Sequence, residues 1–408
     1  MQCGLLGRTL GHSYSPKIHS MLAVYSYQLF EVEPENLETF IRNGDFDGLN
    51  VTIPYKKSVI PYCDELSETA KRLGAVNTLV RRNGKLIGHN SDYFGFMSMV
   101  QRSGVSVAGK KALVLGSGGA SATAVAVLEE MGAQVIVISR SGENNYDNLE
   151  KHCDAAVIVN ATPVGMYPNT DHAPLSLEYF PRLECVLDLI YNPANTQLLQ
   201  QAQQRGISNQ NGLWMLVAQA KESAEWFIQK TISDLLLGSV YNEVRASMES
   251  IMLIGMPGCG KSTIGKLLAE KLSRTFIDAD AVIEERAGIS IPEIFAKNGE
   301  EGFRKLETEV LTDLGKRSAA IISTGGGCVT RPENYQHLHL NSKIIWIKRN
   351  IDTLPTDGRP LSQANKLSDL YARRKPLYKA YCDYAVDNNG ALEETVYQIL
   401  QLLKGESQ

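Results

Sequence analysis

Two stretches of the chain repeat one pattern, in which a short apolar run leads into a glycine-rich turn and then into a run at helical spacing. In the first, Lys111–Leu115 reads as a buried strand and Ala120–Met131 as an alanine-rich helix stopped by Gly132, with Gln134–Ile138 as the next strand. In the second, Ile251–Ile254 is the strand, Ile264, Leu267, Leu268 and Leu272 recur on one helical face, and Thr275–Asp278 is a second short strand. Alternating β and α predicts parallel sheets. Ahead of the first pattern lies mixed α/β sequence of about 100 residues, too long for a connection and so a third unit. A helical run over Lys221–Arg245 stops near Ala246–Ser250, where the two halves of the chain meet. The 408 residues, at ~150 per domain, fit two to three such units.

Composition narrows the function classes. Hydrophobic residues at 43% and charged residues at 21% are ordinary for a packed protein and exclude a disordered or coiled-coil chain. The net charge is −4 with no long run of like charge, so neither nucleic acid nor an anionic membrane is expected as a partner. The seven cysteines never form a C-x-x-C pair, which argues against a disulfide framework and a zinc knuckle and for a reducing compartment. His337 and His339 have no further ligands nearby in sequence and read as surface residues. The chain opens Met-Gln-Cys-Gly without a basic and then apolar segment, so no signal peptide is expected, and a cytoplasmic location follows. Nothing in the pattern sets an oligomeric state.

Gly255-Met-Pro-Gly-Cys-Gly-Lys-Ser-Thr263 satisfies G-x-x-x-x-G-K-[ST], a loop whose backbone N–H groups wrap phosphates while the lysine and hydroxyl address the γ-phosphate and Mg²⁺. A GTPase would want N-K-x-D, and Asn365-Lys-Leu-Ser368 lacks the acid. Downstream come Phe276-Ile-Asp-Ala-Asp280, Gly299-Glu-Glu-Gly-Phe-Arg-Lys-Leu-Glu307, Ser323-Thr-Gly-Gly-Gly327, Asp357-Gly-Arg-Pro-Leu361 and Arg374-Lys-Pro-Leu-Tyr378. In that order they resemble shikimate kinase over nearly all of residues 249–408. The resemblance implies an ATP site in which Gly258, Cys259, Gly260, Lys261, Ser262 and Thr263 cradle the phosphates, Cys259 being a variable position whose side chain packs. It implies that Ser262 ligates Mg²⁺, Asp278 holds the metal's water shell, and Lys261 and the lid residue Arg359 stabilise the transferring phosphoryl group. Asp280 would bind the acceptor hydroxyl and assist its deprotonation, Arg304 and Arg374 would grip a carboxylate as planar forks, and backbone at Gly326 would pack on the ring. Blander readings exist: Arg304 and Glu307 as a helix-surface ion pair worth ~0.2–0.5 kcal/mol, and Asp278 or Asp280 as a helix cap. The segment between Trp346 and Arg359 is shorter than the family's and lacks its extra upstream arginine.

In the first half, Gly116-Ser-Gly-Gly-Ala-Ser121 is G-x-G-x-x-S, with serine where a dinucleotide fingerprint wants its third glycine. The next strand ends in Ser139-Arg140-Ser141, with no acid for a ribose 2′-hydroxyl and an arginine suited to a 2′-phosphate, which points to NADP(H). His12-Ser-Tyr-Ser-Pro-Lys-Ile-His19, Asn50-Val-Thr-Ile-Pro-Tyr-Lys56, Gly74-Ala-Val-Asn-Thr78, Asn90-Ser-Asp92, Asn160-Ala-Thr-Pro-Val-Gly-Met166, Asp188-Leu-Ile-Tyr191 and Asn211-Gly-Leu-Trp-Met-Leu-Val-Ala-Gln219 accompany it. Together they resemble shikimate dehydrogenase over residues 1 to about 245. The resemblance implies that Ser13 and Ser15 hold a substrate carboxylate, and that Thr52, Asn77, Tyr191 and Gln219 make further polar contacts. Gly116, Gly118, Gly119, Ala120, Ser139 and Arg140 would bind the dinucleotide, with Leu189 and Gly212 beside its nicotinamide. Hydride reduction of a ketone needs a proton donor at the oxygen and a group to orient it, and the resemblance assigns these to Lys56 and Asp92, the latter also readable as a helix cap before Tyr93–Met99. His12 and His19 read as structural.

The fold expected from both resemblances is α/β throughout: a substrate-binding domain over 1–102, completed by helices of about 212–245, a Rossmann NADP domain over 103–211, and a P-loop kinase domain with a parallel sheet over 249–408. Jointly they imply consecutive steps, reduction of 3-dehydroshikimate to shikimate by NADPH and then phosphorylation of shikimate by ATP. The alternatives are a quinate-preferring NAD enzyme fused to a kinase of another small alcohol, and a sensor built from inactive copies of both domains.

Overall fold

A computed structural model describes residues 1–11, 13–354 and 367–405. Arg359 with its Asp357–Leu361 motif, His12, and the Asn365-Lys366 part of the segment considered against a base-recognition motif all lie outside the described residues. Two compact units result, Met1–Tyr191 with Leu198–Val244, and Asn192–Gln197 with Arg245–Gln408.

The first unit holds two sheets. One is built from β1 (Gln2–Gly7), β2 (Ser26–Glu31), β3 (Gly48–Val51), β4 (Glu65–Leu66), β5 (Thr78–Arg82) and β6 (Lys85–His89) in the order β2-β1-β3-β5-β6-β4. It is mixed, since β1 pairs parallel with β2 and β3 while β5 runs antiparallel to β3 and β6. Leu6, Leu49, Val51, Leu79 and Ile41 fill its core. The other is fully parallel, with β7 (Lys111–Leu115), β8 (Gln134–Ile138), β9 (Val157–Asn160), β10 (Cys185–Asp188) and β11 (Ser208–Asn211) ordered β11-β10-β9-β7-β8. Strands β7 to β10 are largely apolar because separate core clusters cover the two faces, Val114 and Leu187 pointing into one and Leu113, Leu115 and Val186 into the other, while the edge strand β11 is polar.

The second unit is a parallel sheet of β12 (Ser250–Ile254), β13 (Thr275–Asp278), β14 (Ala320–Ser323), β15 (Ser342–Lys348) and β16 (Tyr384–Asp387) in the order β13-β14-β12-β15-β16. In both parallel sheets the strand before the glycine-rich loop sits where the order reverses, β7 between β9 and β8 and β12 between β14 and β15. Such a switch point opens a crevice at the carboxyl ends of the strands, and there a ligand can be held.

The expected helix over Lys221–Arg245 is in fact two, Leu213–Ile228 and Asp234–Met248. Gln229 takes a left-handed conformation (φ 53°) that ends the first, and the Ile232 N–H, freed from a helical ladder, donates to the Glu225 carboxylate at 2.6 Å. No glycine or proline marks that break, so helical spacing alone ran through it. No helix among the described residues is long and apolar enough to cross a membrane.

Candidate active sites

In the first unit, the chain leaves β3 into the turn that carries Lys56, while Asp92 is the first residue of the helix Asp92–Ser103. Ser91, not Asp92, occupies the cap position, and the Asp92 carboxylate is free to meet Lys56: Nζ donates to Oδ2 at 2.5 Å, both side chains only partly exposed. Gly74 closes the helix Glu68–Leu73 in a left-handed conformation (φ 58°) and turns the chain into β5, which brings in Asn77. Asn77 Oδ1 accepts the Ser91 N–H at 2.7 Å, and Ser91 Oγ donates to Gln219 Oε1 at 3.2 Å, so Asn77, Asp92 and Gln219 share one partly buried neighbourhood. The Ser15 N–H donates to Ser13 Oγ at 3.2 Å at the start of the helix Ser15–Leu22. The Thr52 N–H donates to the Leu6 carbonyl at 2.9 Å, which holds it at the end of β3. Burial, reinforced by Tyr14, pushes the Tyr191 phenol above its ordinary range. His19 is buried, stacks on Tyr27 at 4.1 Å, and burial lowers its pKa to about 3, which keeps it neutral and structural.

The dinucleotide loop follows β7. Gly116 sits at φ 110°, with its missing side chain directed at the Ala161 carbonyl 3.1 Å away, whereas Gly118 and Gly119 open onto space within 4 Å. The helix Gly119–Glu130 starts there with no side-chain cap, leaving its first N–H groups to an anion. Ser121, at the fingerprint's third glycine position, donates its hydroxyl to the Gly116 carbonyl at 2.6 Å and so ties the loop to the helix it opens. Ala120 lies in the first turn of the same helix, exposed. Ser139 and exposed Arg140 follow β8 directly. The Gly212 N–H donates to Ile190 O at 3.0 Å, and a side chain at Gly212 would strike the Leu189 backbone, so the two segments meet as closely as backbones can.

The second unit encloses a cavity of about 490 Å³. One end is the P-loop, where Lys261 Nζ donates to the carbonyls of Gly255 at 3.0 Å and Met256 at 3.1 Å. Gly258 and Gly260 are left-handed, as a loop that turns its N–H groups inward requires, and Thr263 lines the cavity behind them. Cys259 is fully buried, its carbonyl accepting Asn388 Nδ2 at 2.8 Å. Ser262 Oγ donates to Asp278 Oδ2 at 2.7 Å, and Asp278 Oδ1 caps the next helix through the Asp280 N–H at 3.1 Å. Two hard oxygen donors side by side at a phosphate loop suit Mg²⁺, which takes one or two protein ligands and fills the rest with phosphate and water. Among the described residues no group of three or more His, Cys, Asp or Glu side chains forms a metal site.

At the other end Asp280, Arg304, Glu307 and Arg374 converge. Gly299 (φ 71°) kinks the helix Ile291–Gly315 and so aims its second half, with Arg304 and Glu307, at the cavity. These two are no surface pair: they are 5% and 1% exposed, with Arg304 Nη1 donating to Glu307 Oε2 at 2.6 Å. Burial, reinforced by Glu307 and Asp278 and opposed by Lys261 and Arg304, raises the Asp280 pKa to about 6. The glycine run fits between these groups. A side chain at Gly325 would lie 2.7 Å from Glu307 and 2.8 Å from Asp280, one at Gly326 would strike Pro257, and one at Gly327 would run into the Arg304 guanidinium. Tyr378 donates to the Gly326 carbonyl from the helix that carries Arg374. Arg349 also lines the cavity, a cation sequence reasoning did not single out. His339, expected at the surface, is half-buried against Tyr335 with a ring separation of 3.8 Å.

Comparison with known proteins gives each half a family. A model of the shikimate dehydrogenase substrate binding domain matches residues 5–79, and one of shikimate kinase matches residues 257–404. Shikimate dehydrogenase (NADP(+)) of Clostridium perfringens is 34% identical over 264 residues, 59% of this chain and 97% of the relative. The crystal structure of shikimate dehydrogenase 1 from Peptoclostridium difficile superposes with TM-score 0.55 at 36% identity, covering 60% of this chain and 98% of that one. The Thermus thermophilus enzyme, solved with NADP(H) and shikimate, gives 0.54 at 30% identity over 60% of this chain and 99% of its own.

Proposed function

The chain belongs to the shikimate dehydrogenase family and continues into a shikimate kinase domain, a bifunctional enzyme of one pathway, and we propose that it reduces 3-dehydroshikimate with NADPH and phosphorylates the resulting shikimate with MgATP. The substrate-binding part is residues 1–102 with helices of 212–245, the dinucleotide part 103–211, and the kinase 249–408. One observation carries the reading: the Lys56–Asp92 pair and the Asp280–Arg304–Arg374 cavity each present a proton-transfer group beside groups fit for a hydroxylated acid.

Bound NADPH supplies a hydride to the first site, and bound MgATP a phosphoryl group to the second. Lys56 donates its proton to the oxygen on which charge develops, and Asp92 holds the ammonium in line. Ser13 and Ser15 take the carboxylate, while Thr52, Asn77, Tyr191 and Gln219 take ring oxygens. Gly116, Gly118, Gly119, Ala120, Ser139 and Arg140 hold the dinucleotide, and Leu189 and Gly212 flank its nicotinamide. In the kinase, Arg304 and Arg374 grip the carboxylate and backbone at Gly326 packs on the ring. Asp280 accepts the hydroxyl proton, and its depressed acidity places the switch between carboxylate and acid near working pH. Lys261 and Arg359 neutralise the phosphoryl group in a transfer that is chiefly positioning and charge compensation. The purified chain should turn over shikimate with NADP⁺ and with ATP but quinate with NAD⁺ poorly. Equal use of quinate and NAD⁺ would refute the assignment.

A further inference from the structure

Arg349 directly follows β15, and the chain just before it is tied to the P-loop on both flanks. Trp346 pairs with Ile254, the last residue of β12, and a side chain at Gly255 would lie 2.5 Å from the Ile347 carbonyl. The Asn388 N–H donates to the Lys348 carbonyl at 2.8 Å, while Asn388 Nδ2 donates to the Cys259 carbonyl, also at 2.8 Å. Successive side chains of a strand leave on opposite faces. Lys348 accordingly lines a separate groove with Tyr384 and Tyr397, and Arg349 lines the cavity that holds Lys261, Ser262 and Thr263. The backbone thus anchors Arg349 at the P-loop end of that cavity.

The other basic groups nearby are engaged. Lys261 is held by the Gly255 and Met256 carbonyls, and Arg304 by Glu307. Arg349 is exposed and has no hydrogen bond or ion pair among the described residues, so neither packing nor a carboxylate accounts for it. Asp280, Glu284 and Glu307 line the same cavity, and a triphosphate entering beside their negative charge gains from every further cation at the loop. A guanidinium also presents its N–H donors as a planar fork that matches phosphate oxygens. We propose that Arg349 binds the phosphate chain of the nucleotide in the P-loop, a cation in addition to Lys261. The inference rests on the reading of this cavity as an ATP site.

The test is nucleotide binding to the full chain by titration calorimetry, with NADP⁺ present to fill the dinucleotide site and MgADP or magnesium β,γ-imido-ATP as the titrant. Arg349→Ala should weaken both nucleotides about tenfold, as loss of one charge-assisted contact would. KM for shikimate in the phosphorylation assay, and shikimate oxidation with NADP⁺, should change less than about twofold, since neither involves that contact. Arg349→Lys, which keeps the charge and loses the fork, should fall between the parent and Arg349→Ala. Unchanged nucleotide affinity in Arg349→Ala, or a loss that falls on KM for shikimate instead, overturns the inference and leaves the functional reading intact. A wild-type chain that binds MgADP yet does not phosphorylate shikimate overturns the kinase reading, and the MgADP comparison then still decides the inference. A wild-type chain that binds neither nucleotide overturns both.

Discussion

Removing the Glu307 carboxylate leaves the Arg304 guanidinium, 5% exposed, without the partner that it now holds at 2.6 Å. Breaking a buried ion pair from one side costs about 3–5 kcal/mol, since the surviving charge stays desolvated. The nearby carboxylate of Glu300, 3.5 Å from Arg304 Nη2 and half exposed, can recover only part of that, as partly solvated pairs contribute about 0–1 kcal/mol. Glu307→Ala should therefore destabilise the second unit by about 3 kcal/mol, and its kinase KM for shikimate should rise by about two orders of magnitude as Arg304 loses its fixed direction. Replacing both residues with apolar side chains of similar shape, Arg304→Met with Glu307→Leu, should restore most of the stability, because the desolvation cost disappears with the charges. It should not restore the kinase. Urea unfolding measures the first quantity, and ATP-dependent phosphorylation of shikimate the second, with shikimate oxidation in the same sample as the control on the first unit. A Glu307→Ala chain that unfolds within about 0.5 kcal/mol of the parent, or a double variant that phosphorylates shikimate normally, would refute the reasoning.

Other expectations follow from the same geometry. Because Asp280 acts as the carboxylate and its pKa is raised to about 6, kinase kcat/KM for shikimate should rise with pH through about 6 and fall away below it, and Asp280→Asn should abolish the activity at every pH; a profile flat from pH 5 to 8 would contradict the role. Lys56→Ala should lower dehydrogenation by about 10²–10⁴-fold and leave phosphorylation untouched, while Lys261→Ala should do the reverse; loss of both activities from either change would be unexpected. Gly325→Ala places a methyl 2.7 Å from Glu307 and 2.8 Å from Asp280 and should silence the kinase alone, as steady-state assays of both reactions would show. Arg140→Ala should raise KM for NADPH and narrow its advantage over NADH by about tenfold, one lost charge-assisted contact.

The nucleotide loops were legible in the sequence because few residue types can follow a strand, turn sharply and present N–H groups to phosphate: Gly116, Gly255, Gly258 and Gly260 all adopt the left-handed backbone that demands glycine. The strands before them were read nearly to the residue, Lys111–Leu115 as predicted and β12 beginning one position earlier than expected. Burial was harder to read. Arg304 and Glu307 at i,i+3 look the same on an exposed helix as in a cavity wall, and only the packing of the Gly299 kink and the glycine run against them tells the two apart. The helix break at Gln229 carried no breaker residue, and Ser223 carried no motif. Asn50, Thr78 and Ser91, up to 173 positions away, arrive at its one hydroxyl, which no local pattern encodes.

The most direct test supplies the purified chain with 3-dehydroshikimate, NADPH and MgATP together and follows NADPH absorbance and the organic products. The account predicts that NADPH is consumed and that a phosphorylated shikimate accumulates in matching amount, with shikimate alone accumulating when ATP is withheld. Consumption of NADPH without any phosphorylated acid, or no consumption at all, would contradict it.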